Sequence, residues 1–365
     1  MKKLKEIIPN LIMALSGAMV GVAIALFVLR NVAEDGSILI MFIFALAIAM
    51  ISLYIHLILH EAGHLIFGLL SGYDFVSFRI GSFILVKEDG RYKIKRYSLA
   101  GTGGQCLMSP PDYNDGNYPY VLYNLGGIIV NMILAMLFGI LYLAFSPTGY
   151  FGFFFISMMV VGVAIAMNNG IPMQTNMVTN DGHNALNLSK DKDALKTFWA
   201  TLKINAKQME GVHLSDIDPE WFTLSENADL KNTMVSPLLG VRENLLMEQG
   251  DFGEAKALIE KLLSDECRLN GITESLVKLD GLYIDLLQRG ADADMTVLDD
   301  KKMKAFVKAM KNYPSVLRTT YAVAKVRGDN KEAERIKLQF NKIAASYPYK
   351  TEIETESLLM ARFDA

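Results

Sequence analysis

Four apolar stretches almost free of charge occupy the first 170 residues, and they restrict the fold more than any other feature of the chain. Residues 7–29 carry no charge, residues 37–71 carry only Glu61 if histidine is counted neutral, and two more runs cover Val121–Phe145 and Tyr150–Met167. About 20 apolar residues suffice for a helix to cross the roughly 30 Å hydrocarbon core of a bilayer, so each run reads as a transmembrane helix. The first is too long for a signal-peptide core and is followed by no small-x-small cleavage site, which makes it a retained anchor. The second would be about 52 Å long as one helix and must tilt or project from the membrane. Only Ser146-Pro147-Thr148-Gly149 joins the last two, so they form a tight membrane hairpin.

Charge divides the chain in the same way. Residues 1–190 hold 11 Lys/Arg and 10 Asp/Glu, against 25 and 29 in residues 191–365. The first part suits lipid and the second water. A net charge of −3 leaves no basic surface for nucleic acid. Two cysteines, Cys106 and Cys267, are too few for a disulfide framework and read as reduced thiols. Lys2, Lys3 and Lys5 precede the first span, and Arg79, Lys87, Arg91, Lys93, Lys95 and Arg96 follow the second, so both termini are expected on the cytoplasmic side of a cell membrane. Between spans two and three, Phe83–Val86 and Arg91–Lys95 flank an Asp89-Gly90 turn signal, the pattern of a small β-hairpin at the membrane surface.

Beyond residue 190 amphipathic helices alternate with turn residues. Tyr313-Pro314 and Tyr347-Pro348 lie 34 residues apart, Gly250-Asp251-x-x-Glu254-Ala255 recurs as Gly328-Asp329-x-x-Glu332-Ala333, and Gly290 falls between. Such glycines end helices, and recurrence at this spacing marks stacked helical hairpins. The expected fold is mainly α: a polytopic membrane protein with about four transmembrane helices, a small surface β-hairpin and a soluble helical repeat domain. The domains are a membrane-embedded region at 1–190, a helical connector at 191–235 and a helical tail at 236–365. A non-repetitive helical bundle is the competing description of the tail.

The second span contains His60-Glu61-Ala62-Gly63-His64. On a helix the i, i+4 spacing puts both imidazoles on one face, where they chelate one zinc ion, with Glu61 beside them as general base. Zinc lowers the pKa of a coordinated water and polarises a carbonyl, which is the chemistry of peptide-bond hydrolysis. Charged and ionisable groups inside an apolar span are costly and mark function by default. The motif ends 8 residues before Gly72, about 12 Å inside the helix end, so it lies immersed near the cytoplasmic face. A third protein ligand is needed. After span four the chain offers Asn169-Gly170-Ile171-Pro172 and then Asp181-Gly182, making Asp181 that ligand, with His183 and His56 as alternatives.

These motifs resemble the site-2 protease family of intramembrane zinc metalloproteases, whose signatures are His-Glu-x-x-His on one core span and Asn-x-x-Pro followed by Asp-Gly on another. Gly126-Gly127-Ile128-Ile129-Val130-Asn131 resembles a further signature, Gly-Pro-x-x-Asn, with Ile128 where Pro is common. The resemblance covers residues 37–185 and departs from the family in the longer gap between Pro172 and Asp181. It implies zinc as cofactor and a membrane-spanning protein or peptide as substrate. It also implies a bacterial membrane, with anti-sigma factors, membrane-tethered regulators or leftover signal peptides as possible targets. Asn131 then stands either as an oxyanion donor or as a helix-to-helix hydrogen bond, and Asn169 as a substrate contact or a cap. The family's common PDZ module is not evident. The 34-residue step resembles tetratricopeptide repeats over residues 236–348, whose concave surface would take a protein partner.

A helical substrate hides its carbonyls in hydrogen bonds and must be unwound, and an edge strand of the 83–95 hairpin is expected to hold it by strand addition. Gly101-Thr102-Gly103-Gly104 lacks the surroundings of a dinucleotide site and reads as a flexible loop near the metal. Cys106 is expected to be packed, and Gly17-x-x-x-Gly21 and Gly68-x-x-x-Gly72 to be helix contact faces. The competing functions are a non-catalytic membrane scaffold that binds partners through its tail, and a zinc protease acting on soluble peptides.

Overall fold

The computed structural model describes residues 2–31, 37–88, 90–97, 103–114, 116–174 and 179–364. The apolar runs fold as α1 (Lys2–Asn31), α2 (Ile38–Leu70), α3 (Val121–Phe145) and α4 (Gly149–Gly170). Each is long and apolar enough to cross a membrane, α1 from Ile7 onwards. Two compact units form, one from residues 1–80, 103–112 and 118–188, the other from 81–102, 113–117 and 189–365.

In the first unit α3 packs on α2 and α4, while α1 packs on α4 and α2. Large side chains such as Ile140 and Leu143 face outward. That is expensive in water and natural in lipid, where the backbone is satisfied within each helix. The α2–α3 crossing is a backbone contact: a Cβ at Gly63 would stand 2.4 Å from the Gly126 carbonyl oxygen, and one at Gly126 would stand 2.4 Å from that of Gly63. Small residues let transmembrane helices approach in this way. Gly17 and Gly21, by contrast, have open space beside them, and Gly68 receives the Met108 thioether.

Gly72, at φ +81°, ends α2 in the left-handed conformation that glycine adopts without penalty. The chain then enters β1 (Asp74–Ile80). Further on, β4 (Gly104–Ser109) pairs antiparallel with β1, Asp74 opposite Ser109 and Ile80 opposite Gly104. Gly101 and Thr102 lie outside the described residues, but Gly103 leads directly into this strand, so the expected loop gives way to ladder pairing at Gly104. After α4, α5 (Asp181–Asn187) completes the unit.

The second unit contains the hairpin of β2 (Phe83–Glu88) and β3 (Arg91–Arg96), paired from Phe83–Arg96 to Glu88–Arg91. Gly90 turns it at φ +74°, and Asp89 is outside the described residues. Among the described residues eight α-helices follow: α6 (Lys192–Met209), α7 (Pro237–Gln249), α8 (Phe252–Leu262), α9 (Gly271–Arg289), α10 (Lys301–Ala309), α11 (Pro314–Val326), α12 (Asn330–Ala344) and α13 (Lys350–Ala361). The recurring Gly-Asp-x-x-Glu-Ala has a local cause. Asp251 caps α8 by accepting from the Glu254 amide at 3.2 Å, and Asp329 caps α12 by accepting from the Glu332 amide at 3.0 Å. Ala255 and Ala333 are buried where each pair of helices, α7 with α8 and α11 with α12, meets. Tyr283, Ile259, Leu246 and Ala322 belong to the core.

Candidate metal centre

Three elements of the first unit bring His60, His64 and Asp181 together. α2 supplies the histidines from one face, both buried. α5 supplies Asp181 as its first residue. His60 Nε2 lies 3.1 Å from Asp181 Oδ2, His64 Nε2 lies 3.4 Å from the same oxygen, and the two Nε2 atoms are 3.2 Å apart. A tetrahedral zinc ion with bonds of about 2.0–2.1 Å has ligands separated by roughly 3.3 Å, so this triangle and its N, N, O donor set fit zinc. Neither His56 nor His183 joins the group. Cys106 also stays out of it and is buried, packed as expected.

Asp181 reaches the histidines despite the long gap after Pro172. Gln174 and Thr179 form an antiparallel bridge that closes the extra residues into a loop, and residues 175–178 lie outside the described residues. Asn180, which belongs to none of the sequence motifs, fastens the junction. Its Oδ1 accepts from the His183 and Met173 amides at 3.0 Å each, and its Nδ2 donates to the Asn168 and Ile171 carbonyls at 2.8 and 2.7 Å. An Asn directly before a helix is an N-cap signal, and this one could have been read. Gly182 is needed for close approach, because a Cβ there would stand 2.1 Å from the Gly170 carbonyl oxygen. Asn169 donates back to the Ile165 carbonyl at 3.1 Å, tying it to its own helix. Burial raises the Asp181 carboxyl, and His64 and His60, while they carry protons toward it, outweigh burial and hold it well below the ordinary range; a bound metal would take the place of those protons.

Tautomers decide whether the imidazoles can bind. His64 donates its Nδ1–H to the Tyr123 carbonyl at 2.7 Å, which leaves the Nε2 lone pair free for metal. His60 turns Nδ1 to the Asn131 carboxamide at 3.0 Å, and the other end of that carboxamide is 3.0 Å from His56 Nδ1. A Cβ at Gly127 would stand 2.5 Å from the His60 ring, so α3 presents bare backbone to it.

Glu61 is buried beside the histidines. Its carboxylate lies against β4, where the Cys106 backbone is its hydrogen-bond partner and the Cys106 carbonyl accepts the Tyr123 hydroxyl at 2.9 Å. A Cβ at Gly104 would stand 2.6 Å from Glu61 Oε1 and 2.7 Å from its Cγ. Gly104→Ala is therefore expected to displace the carboxylate and lower any hydrolysis that uses it by about 10²-fold, the scale of a 1 Å misplacement at a reacting group. Bound zinc measured on the same protein should stay at the wild-type level.

Four helices long and apolar enough to cross a membrane, with two histidines, a carboxylate and an adjacent glutamate around one point, are the parts a membrane-bound metallopeptidase needs. The family model for Peptidase family M50 matches residues 48–340, and the chain belongs to that family of site-2-protease-like zinc metallopeptidases. No curated protein and no solved structure matches it.

Proposed function

We propose that the protein is an intramembrane zinc endopeptidase that cuts membrane-spanning substrates near the cytoplasmic face of a bacterial cell membrane, with both of its termini on that side. The observation that carries this reading is the ligand triangle on α2, set within a span whose neighbouring residues carry no charge from Ser37 to Ser71 apart from Glu61. His60, His64 and Asp181 would hold zinc, which when bound supplies the Lewis acidity that activates water and polarises the scissile carbonyl. Glu61 takes the proton from the attacking water and passes it to the leaving amine. Gly104 and Cys106 are the extended backbone beside Glu61, so β4 is the strand we assign to holding an unwound substrate. The α7–α8 and α11–α12 hairpins support a tetratricopeptide-like tail that recruits a protein partner.

Metal analysis of the purified full chain tests the centre. About one zinc per chain is expected in the wild type and in His183→Ala, and little in His60→Ala and Asp181→Ala. A wild type that takes up no zinc when metal is offered back would favour a membrane scaffold without catalysis.

A further inference from the structure

Asn131 sits between two histidines, and the chemistry of its neighbours fixes which way its amide faces. His56 is fully buried and places Nε2 at 2.8 Å from the Met158 carbonyl oxygen. A carbonyl only accepts, so His56 must present Nε2–H to it. Its two hydrogen-bond partners are a carbonyl and a carboxamide, and neither supplies the counter-charge that a buried imidazolium needs. In the neutral ring that one proton is spent on Nε2, so Nδ1 is an acceptor and the Asn131 group facing it must be the NH₂. The structure sets Asn131 Oδ1 at 3.0 Å from His56 Nδ1 and Nδ2 at 3.0 Å from His60 Nδ1; turning the amide over, which these neighbours require, brings its oxygen to His60 Nδ1, where it accepts the N–H. Amide oxygen and nitrogen have the same shape, so their assignment follows from the hydrogen-bond network and not from packing.

The opposite orientation fails on chemistry. With the NH₂ donating to His60 Nδ1, the His60 proton would sit on Nε2, the atom that forms one corner of the ligand triangle. A bound metal needs that lone pair.

We infer that His56 and Asn131 are positioning residues, a relay from the Met158 carbonyl through His56 and Asn131 that holds His60 in the Nδ1–H tautomer and leaves Nε2 free for zinc. This rests on the zinc-peptidase reading above, and it assigns to Asn131 a role other than oxyanion donation. The relay is built into three spans: His56 and His60 from α2, Asn131 from α3 and Met158 from α4. Glycine lets the ring in, since a Cβ at Gly162 would stand 2.5 Å from His56 Cε1. His64 reaches the same tautomer with a single carbonyl, whereas a carboxamide can face either way and His56 is what fixes it.

The test uses the full chain in detergent, with zinc alone as the probe and a chromophoric chelator as competitor. Asn131→Leu is expected to weaken zinc binding by about 10–100-fold, the usual cost of losing an outer partner of a ligating histidine. Asn131→Asp, which still accepts from His60 Nδ1–H, should bind zinc within about threefold of wild type. His56→Phe, which keeps the ring volume, should weaken binding several-fold. A second readout is ¹⁵N NMR of the five histidines in the zinc-loaded wild type, where His56 should be the Nε2–H tautomer and His60 the Nδ1–H tautomer. Unchanged zinc affinity in both Asn131→Leu and His56→Phe overturns the relay, as does a neutral His56 protonated on Nδ1. A wild type without zinc affinity defeats the peptidase reading itself, and that result is read before any variant. Should Asn131→Leu not fold, His56→Phe and the NMR tautomers still decide.

Discussion

Glu61→Gln is expected to lower peptide cleavage by roughly 10²–10⁴-fold while leaving bound zinc unchanged, the range over which general bases contribute. Glutamine keeps the shape that packs against Gly104, and its amide has no basic lone pair for a water proton. The metal ligands themselves are untouched, because His60, His64 and Asp181 reach one another without Glu61. The measurement is cleavage of a single-span fusion protein with a reporter on each side, co-reconstituted with the full chain and followed by immunoblot. Cleavage within threefold of wild type would remove Glu61 from the mechanism. Full loss in Glu61→Gln alongside partial loss in Gly104→Ala would show that the carboxylate must be both present and placed by β4.

Much of this centre could be read from short-range pattern. The i, i+4 spacing of His60 and His64 fixes their common face whatever surrounds the helix, and the apolar runs determine where spans begin and end to within a few residues. The caps at Asp251 and Asp329 are equally local. What could not be read depends on residues far apart in the chain. His56 meets Asn131 across 75 positions and Met158 across 102, contacts that no periodicity encodes. Gly104 in a glycine-rich stretch reads as loop, because the reason for its missing side chain is the carboxylate of Glu61 on another element. Asn180 was legible as a cap, but its hold on both Asn168 and Ile171 shows only in three dimensions. Arg318 is a further case: an arginine on an amphipathic helix is read as solvent-facing, and this one is 2% exposed.

Arg318→Met is expected to destabilise the second unit by about 3–5 kcal/mol, the cost of breaking a buried ion pair from one side. Arg318 on α11 pairs with Asp280 on α9 and lies 3.3 Å from Glu356 on α13, with its guanidinium 4.5 Å from the Tyr283 ring centre. Its removal leaves these two carboxyls, and the nearby buried Glu243, without the guanidinium that faces them. The carboxyls also make stability depend on pH even with Arg318 present. Burial, and then Glu356, push Glu352 from 4.5 to about 8. Burial also takes Glu356 to about 7, with Arg318 opposing and Asp280 adding. Between 4.5 and those values the folded chain keeps protons that the unfolded chain has released, so stability falls as pH rises through this window and is lowest above about 8. Both tryptophans of the chain, Trp199 and Trp221, lie in this unit, so their fluorescence follows its unfolding. Urea midpoints should be higher at pH 5.5 than at pH 8.5, and Glu352→Gln should flatten the difference. Equal midpoints at the two pH values would mean that these carboxyls titrate as if in water. An unchanged midpoint in Arg318→Met would mean that they are protonated throughout and need no cation.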